Sequence, residues 1–129
     1  MVCAKILPIG MTITLNLEPV PLARPRVNTT NRGRYLPAKS RKFQDDLKAL
    51  GRAAFHQQTF ENPLSVTLHF YKPRKTTAKN FGDIDNLAKA VLDACNGVIW
   101  QDDRLITELH AFKHKGAGKI ILEVDEIET

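Results

Sequence analysis

Two carboxylates separated by one residue, Asp83 and Asp85, open a stretch whose side chains suit the binding of a divalent cation. A second acidic pair, Asp102-Asp103, follows the short apolar run 98–100. Carboxylate oxygens are the ligands that hard cations such as Mg²⁺ prefer. Two carboxylates about 5 Å apart repel by about 0.8 kcal/mol in water and by about 3 kcal/mol at an effective dielectric of 20, so a half-buried acidic site needs a counter-charge.

The residues after Asp83 predict an amphipathic helix that positions these acids. Steps of four residues from Asp85 reach Lys89 and then Asp93, which places the three side chains on one helix face. Apolar residues suited to a core recur at helical spacing on another face: Ile84, Leu87, Ala88, Val91 and Leu92. Asn96-Gly97 then supplies residues that tolerate the left-handed conformation in which helices end.

The same residues also allow interpretations without a metal ion. Acids in the first turn of a helix stabilise it by about 0.3–1 kcal/mol each through the helix dipole. Asp85 and Lys89 have the spacing of a surface ion pair worth about 0.3–0.5 kcal/mol, and Asp102-Asp103 suits a solvated turn. The spacing alone therefore leaves capping and cation binding both open.

Length and composition indicate one globular domain. The chain has 129 residues, of which 43% are hydrophobic and 26% charged. We expect a single domain over residues 1–129, with 1–11 as a flexible extension. No stretch has the character of a transmembrane span, and residues 1–8 are too short and interrupted for a signal peptide. Cys3 and Cys95 are too few for a disulfide framework, which predicts free thiols and a cytoplasmic location.

Basic residues flank the acidic centre on both sides. Residues 24–42 contain no acid and seven cations: Arg24, Arg26, Arg32, Arg34, Lys39, Arg41 and Lys42. This run is either a solubilising face or, as we favour, an arm that contacts phosphates, because arginine forks match phosphate oxygens and Tyr35 offers a stacking surface. A second basic run precedes Asp83: Lys72, Arg74, Lys75 and Lys79. This arrangement is expected of a metal-dependent phosphodiesterase, since phosphates must be drawn toward carboxylates that repel them.

Alternating apolar residues predict the strands. Residues 12–17 form the first strand, and 64–71 form a second whose core-facing side chains are Leu64, Val66, Leu68 and Phe70. Residues 104–115 and 119–127 are predicted to pair as a hairpin around the turn 116–118. His110 and His114 have zinc-like spacing, but residues four apart on a strand lie about 13 Å apart, so we expect no zinc site.

One more helix completes the predicted fold. Ser40 is its expected N-cap, and it runs to about Gln57 with a buried stripe of Phe43, Leu47, Leu50 and Ala54. The predicted fold class is mixed α/β, of the α+β kind: a small, largely antiparallel sheet of about four strands backed by two helices.

The ordered acidic motif closely resembles that of the RusA family of Holliday-junction resolvases. The resemblance is carried by Asp-Ile-Asp-Asn-Leu at 83–87 with Lys89, by Leu-Asp-Ala at 92–94, and by Asn-Gly-Val-Ile-Trp-Gln-Asp-Asp-Arg at 96–104. Residues 21–27 and 35–37 resemble that family's basic N-terminal arm, and the likeness extends from about residue 12 to the C-terminus. The family commonly has a basic residue or proline just before the first aspartate, where this chain has Gly82.

The resemblance implies a homodimeric, Mg²⁺-dependent endonuclease that resolves four-way DNA junctions by paired symmetric nicks in recombination and repair. Mn²⁺ would be able to replace Mg²⁺. Matched by position, Asp83, Asp85 and Asp103 would be the metal-site carboxylates, and Lys89 the catalytic cation beside the scissile phosphate.

The partners expected on this basis are four-way junction DNA and a second copy of the chain, with no membrane and no nucleotide cofactor. The residues expected to contact DNA come from the two basic runs: Arg24, Arg26, Arg32, Arg34, Lys72, Arg74, Lys75 and Lys79. Two alternatives stay open: a magnesium nuclease acting on other branched DNA, and a non-catalytic DNA-binding protein whose acids are structural.

Overall fold

The computed structural model describes residues 5–21, 26–27, 34–35, 38–55 and 59–128, and it describes side chains for 10–21, 38–55, 59–77 and 80–127. In chain order the elements are β1 (Lys5–Leu15), β2 (Arg26–Val27), β3 (Arg34–Tyr35), α1 (Ala38–Ala54), β4 (Leu64–Lys72), α2 (Ala78–Phe81), α3 (Ile84–Cys95), a 3-10 turn (Asp103–Leu105), β5 (Ile106–Lys115) and β6 (Lys119–Glu128). This is the mixed α+β domain that the sequence predicts. No helix in these ranges is long and apolar enough to cross a membrane.

The main sheet has the strand order β1-β6-β4-β5. β6 pairs antiparallel with both β1 and β4, whereas β4 pairs parallel with β5. The predicted hairpin of 104–115 with 119–127 is therefore wrong, because β5 and β6 lie on opposite sides of β4. The turn 116–118 crosses the end of β4, where the Gly116 amide donates to the Lys72 carbonyl at 2.8 Å.

Burial explains why β6 and β4, and not β5, take the central positions. The inward side chains of β4 are fully buried as predicted, namely Leu64, Val66, Leu68 and Phe70, and those of β6 match them with Ile120, Leu122 and Val124. A strand with a continuous apolar face gains most from neighbours on both sides. Most of β5 is exposed, which suits a strand at the sheet edge.

The first strand is longer at its start than predicted. β1 begins at Lys5, which pairs with Glu128, so the expected flexible extension is wrong for residues 5–11. β6 reaches far enough to pair with this segment. The ladder is irregular between Ile6 and Gly10, around Pro8, because proline lacks the amide hydrogen that a regular ladder needs. At its other end β1 stops at Leu15 rather than at residue 17.

Helix α1 starts before its predicted cap. Ser40 is buried within the first turn of Ala38–Ala54, so it is not the N-cap. Phe43 and Leu47 are buried as predicted, and Leu50 is partly buried, but Ala54 is exposed because the helix ends there. The inward face instead includes Gly51, at which an added Cβ would lie 3.4 Å from Val98 Cγ1.

A single apolar cluster joins α1 and α3 to one face of the sheet. From α3 it takes the predicted Leu87, Ala88 and Val91, with Leu92 partly buried at its margin. Ile84 is 39% exposed, so its predicted core role is wrong. A buried hydrogen bond from Gln44 Nε2 to the Ala90 carbonyl, 2.8 Å long, further ties α1 to α3. These contacts fix the helix that carries the acidic motif.

Candidate active site

Asp83 and Asp85 both lie at the start of α3, as the sequence predicts. Asp83 is the N-cap residue; it is exposed, and its side chain makes no capping hydrogen bond. Asp85 lies in the first turn, and its Oδ1 accepts a hydrogen bond from the Asn86 amide at 2.9 Å. The positive end of the helix dipole points toward both carboxylates. Two solvent-accessible anions are thus held at a fixed helix terminus.

Farther along α3, several charged side chains interact with Asp93. Partial desolvation raises the pKa of Asp93 above its ordinary value, and the charge of Asp103 raises it further. Lys89, from α3, and Lys48, from α1, oppose both effects. The structure therefore brings Asp103, which follows the end of α3 by eight residues, back into electrostatic reach of that helix. The ion pairs among the described side chains do not include Asp85 with Lys89.

The second acidic pair divides into two different environments. Asp102 caps the 3-10 turn, accepting hydrogen bonds from the Arg104 amide at 2.9 Å and from Arg104 Nη2 at 3.0 Å. These bonds lower the pKa of Asp102 to about 2. Asp103, the first residue of the turn, is the member of the pair that interacts with Asp93. Only Asp103 therefore belongs with the acids of α3.

The segment between α3 and Asp103 is anchored by Trp100. Its side chain is fully buried, and its backbone bridges both Asn96 and Phe60. The Gly97 amide donates to the Trp100 carbonyl at 2.8 Å, which closes a tight turn after the helix. Gly97 has φ +79, the left-handed conformation predicted for this helix end. This anchoring returns the chain to α3 and places Asp103 beside it.

The donor chemistry of the three predicted ligands suits a hard divalent cation, since all are carboxylates. Across side chains 10–21, 38–55, 59–77 and 80–127, however, no three or more His, Cys, Asp or Glu residues are grouped so that they could hold a metal ion. Assignment of a metal site to Asp83, Asp85 and Asp103 remains a proposal.

His110 and His114, which have zinc-like spacing in the sequence, contact other side chains instead of each other. His114 Nε2 lies 2.9 Å from His69 Nδ1, and His69 Nε2 lies 3.1 Å from Glu123 Oε2. This chain of contacts lies on the sheet face opposite the helices, since His69 alternates with the buried residues of β4. His110 is separate from it and lies 3.5 Å from Glu108 Oε1.

Comparison with known proteins connects this geometry to a family. The family model described as endodeoxyribonuclease RusA matches residues 16–125, which include α3 and the acidic segment after it. The chain belongs to the RusA family. It is also 26% identical over 115 residues to the uncharacterized protein YqaN of Bacillus subtilis strain 168, an alignment that covers 74% of this chain and 81% of that protein.

The basic residues predicted to serve this RusA-family nuclease domain are described to different extents. Arg24 and Arg32 lie outside the described residues, and Arg26 and Arg34 are described only as backbone, in the antiparallel pair β2-β3. Lys79 is described only as backbone in α2. Arg74 and Lys75 are exposed after β4, whereas Lys72 is buried at its end.

Sequence reasoning left Asp93 and Lys48 out of the candidate site. Asp93 carried a local signal, because it follows Lys89 by one helical turn. No pattern in the sequence indicated Lys48, because only the packing of α1 against α3 brings it near Asp93.

Proposed function

We propose that this protein is a Mg²⁺-dependent endonuclease that resolves four-way DNA junctions by paired symmetric nicks in recombination and repair. The observation that carries the proposal is the RusA match over residues 16–125, within which the acids stand at the start of α3. Asp83 supports it because an exposed N-cap residue without a capping hydrogen bond has its oxygens available to a ligand.

In this proposal Asp83, Asp85 and Asp103 hold the ion, and Mn²⁺ substitutes for Mg²⁺. When bound, the ion would polarise a phosphoryl oxygen and lower the pKa of the attacking water. The hydrogen bond from the Asn86 amide to Asp85 Oδ1 orients that carboxylate. Asp102 takes no part, because its carboxylate is engaged by Arg104.

Lys89 has the second role in the proposed chemistry. It lies on α3, is exposed, and interacts with Asp93 one turn later. Its ammonium group would offset the negative charge that grows on the scissile phosphate in the transition state. Hydrolysis of a phosphodiester needs water and the ion, so the proposal includes no nucleotide cofactor.

The substrate accounts for the remaining parts of the proposal. Basic residues on either side of the acids would draw the DNA backbone toward carboxylates that repel it. A four-way junction presents two equivalent strands to be cut, so a two-fold homodimer with one site per subunit matches it.

The experiment incubates the purified protein with a synthetic four-way junction, a flapped duplex and a linear duplex, each in Mg²⁺ and in EDTA. We expect symmetric paired nicks in the junction, in Mg²⁺ only. Preferred cutting of the flap would favour a different branched substrate. Binding without cleavage in Mg²⁺ would favour a non-catalytic DNA-binding protein.

A further inference from the structure

Two lysine side chains meet at one aromatic ring near the start of α3. Lys72 ends β4 and Lys113 lies on β5, and both belong to the sheet face that the helices cover. The Nζ atom of Lys72 is 5.5 Å from the centroid of the Phe81 ring, and that of Lys113 is 5.4 Å from the same centroid. Phe81 is only 3% exposed and ends α2, immediately before Gly82 and Asp83.

Lys72 is in an unfavourable position for a cation. It is 9% exposed, and burial is the largest cause that lowers its pKa below the ordinary value. The charge of Glu18 raises this pKa, whereas those of Lys39 and Lys113 lower it further. Among the described side chains, neither Lys72 nor Lys113 has an ion pair or hydrogen bond with a carboxylate. Burying an ammonium group without such a partner is costly, so an anionic ligand would relieve a cost that the fold already bears.

We infer that the ammonium groups of Lys72 and Lys113 form a subsite for one phosphate of the DNA backbone, beside the Phe81 ring. The inference rests on the proposed function, which makes DNA the ligand. Lysine binds phosphate as a point charge and needs no fixed planar geometry. Both ammonium groups lie near the Phe81 ring, since a cation is attracted to an aromatic face, and Lys113 is close enough to Lys72 to lower its pKa.

The subsite would set the register of the DNA strand. Phe81 and Asp83 are two residues apart, so their Cα atoms are separated by at most about 7 Å. A DNA strand carries one phosphate per about 3.4 Å of helix axis. A phosphate held at Phe81 would therefore lie within a few nucleotides of the bond presented to Asp83.

The first experiment measures junction binding in EDTA across a salt series. The variants are Lys72→Met, Lys113→Met and the double substitution, since methionine preserves an unbranched apolar stem. The control is Lys119→Met, which removes a lysine that also lies over an aromatic ring, 4.7 Å from the Tyr71 centroid, on the opposite sheet face. One lost phosphate contact should reduce the slope of log K against log salt by about 0.9. We expect that reduction in the double variant and none in the control.

An unchanged slope in the double variant, or an equal reduction in Lys119→Met, would overturn the subsite. If Lys72→Met disturbs folding because Lys72 is buried, the single variant Lys113→Met still tests the subsite, because Lys113 is exposed on the edge strand. It should reduce the slope by itself, and circular dichroism would confirm that it is folded.

The second experiment replaces single phosphates around the branch point with uncharged methylphosphonate. One position should weaken binding by the wild-type protein and have no further effect on the double variant. Equal weakening of both proteins at every position would overturn the subsite. Because these measurements need no cleavage, a wild-type protein that shows this pattern but never cuts the junction in Mg²⁺ would contradict the proposed function and support the subsite.

Discussion

Gly82 is packed directly against Pro21. A Cβ added at Gly82 would lie 3.0 Å from Pro21 Cγ, closer than side chains ordinarily approach. Gly82 also has φ +100 and ψ 160, a backbone conformation essentially restricted to glycine. Pro21 leads into the basic run and Gly82 precedes Asp83, so this contact joins the proposed DNA-binding arm to the first carboxylate. The backbone at position 82 thus accepts only glycine without strain.

The substitution Gly82→Ala should therefore impair activity more than a comparable glycine substitution elsewhere. The matched control is Gly97→Ala, because Gly97 also has positive φ, at +79, but an added Cβ there meets nothing within 4 Å. Both changes should destabilise the protein by about 1–3 kcal/mol through backbone strain. Junction cleavage, measured well below both melting temperatures, should fall further for Gly82→Ala.

The double variant Gly82→Ala/Pro21→Ala tests whether the proline ring is responsible. Removing the ring leaves room for the new methyl group, so part of the lost activity should return, whereas Pro21→Ala should not rescue Gly97→Ala. Equal activity of the two single glycine variants would show that the contact with Pro21 has no functional consequence.

Substitutions of the neighbouring residues Asp102 and Asp103 provide a second matched comparison. Asp103→Asn should abolish Mg²⁺-dependent cleavage and leave junction binding intact, because it removes a proposed ligand and also some repulsion of phosphate. Asp102→Asn removes the same charge from the neighbouring residue, whose carboxylate already binds Arg104, and should retain most activity. Single-turnover cleavage and binding in EDTA would measure both effects, and the reverse order of activities would contradict the assignment.

Local patterns in the sequence were sufficient to predict most of the elements. Alternation gives β4, and apolar residues at helical spacing give α3 with its end at Asn96-Gly97, because both periodicities depend only on neighbouring residues. The predicted hairpin of β5 and β6 was wrong because strand pairing depends on residues that are far apart in sequence. Strand order depends on which strands bury an apolar face between two neighbours, and a short turn between two strands does not determine it.

Only part of the candidate site could likewise be predicted from neighbouring residues. The positions of Asp83 and Asp85 at a helix start follow from spacing alone. The approach of Asp103 to Asp93 depends on the burial of Trp100, which lies between the two acids in sequence and turns the chain back toward α3, and the burial of Lys72 depends on its contact with Phe81. A basic run in a sequence does not show which of its lysines becomes buried.

Cys95 provides a test of the packing beneath α3. Burial raises the pKa of the Cys95 thiol from 9.0 to about 12. Since the folded state holds this proton more tightly than the unfolded state, its contribution to stability is complete below pH 9 and is lost as the pH rises toward 12. The free energy of unfolding in urea should therefore decline over this range more steeply in the wild-type protein than in Cys95→Ala. Parallel declines in the two proteins would contradict the burial of this thiol.

Lys89 distinguishes a catalytic from a structural role most clearly. As a surface residue that only interacts with Asp93, it would contribute about 0.3–0.5 kcal/mol to stability and little to activity. If Lys89 is the cation beside the scissile phosphate, its loss should resemble removal of an electrostatic donor, which costs about 100–1000-fold in rate.

We expect Lys89→Ala to fold and bind junctions but to cleave them in single-turnover assays at a rate reduced by that factor. Lys89→Arg should rescue poorly, because the planar guanidinium places its charge differently from an ammonium group. The control is Lys119→Ala, which removes a lysine that lies over the Tyr71 ring on the sheet face opposite the helices. A Lys89→Ala rate within about threefold of Lys119→Ala would restrict Lys89 to the structural role, since removal of a catalytic donor costs far more.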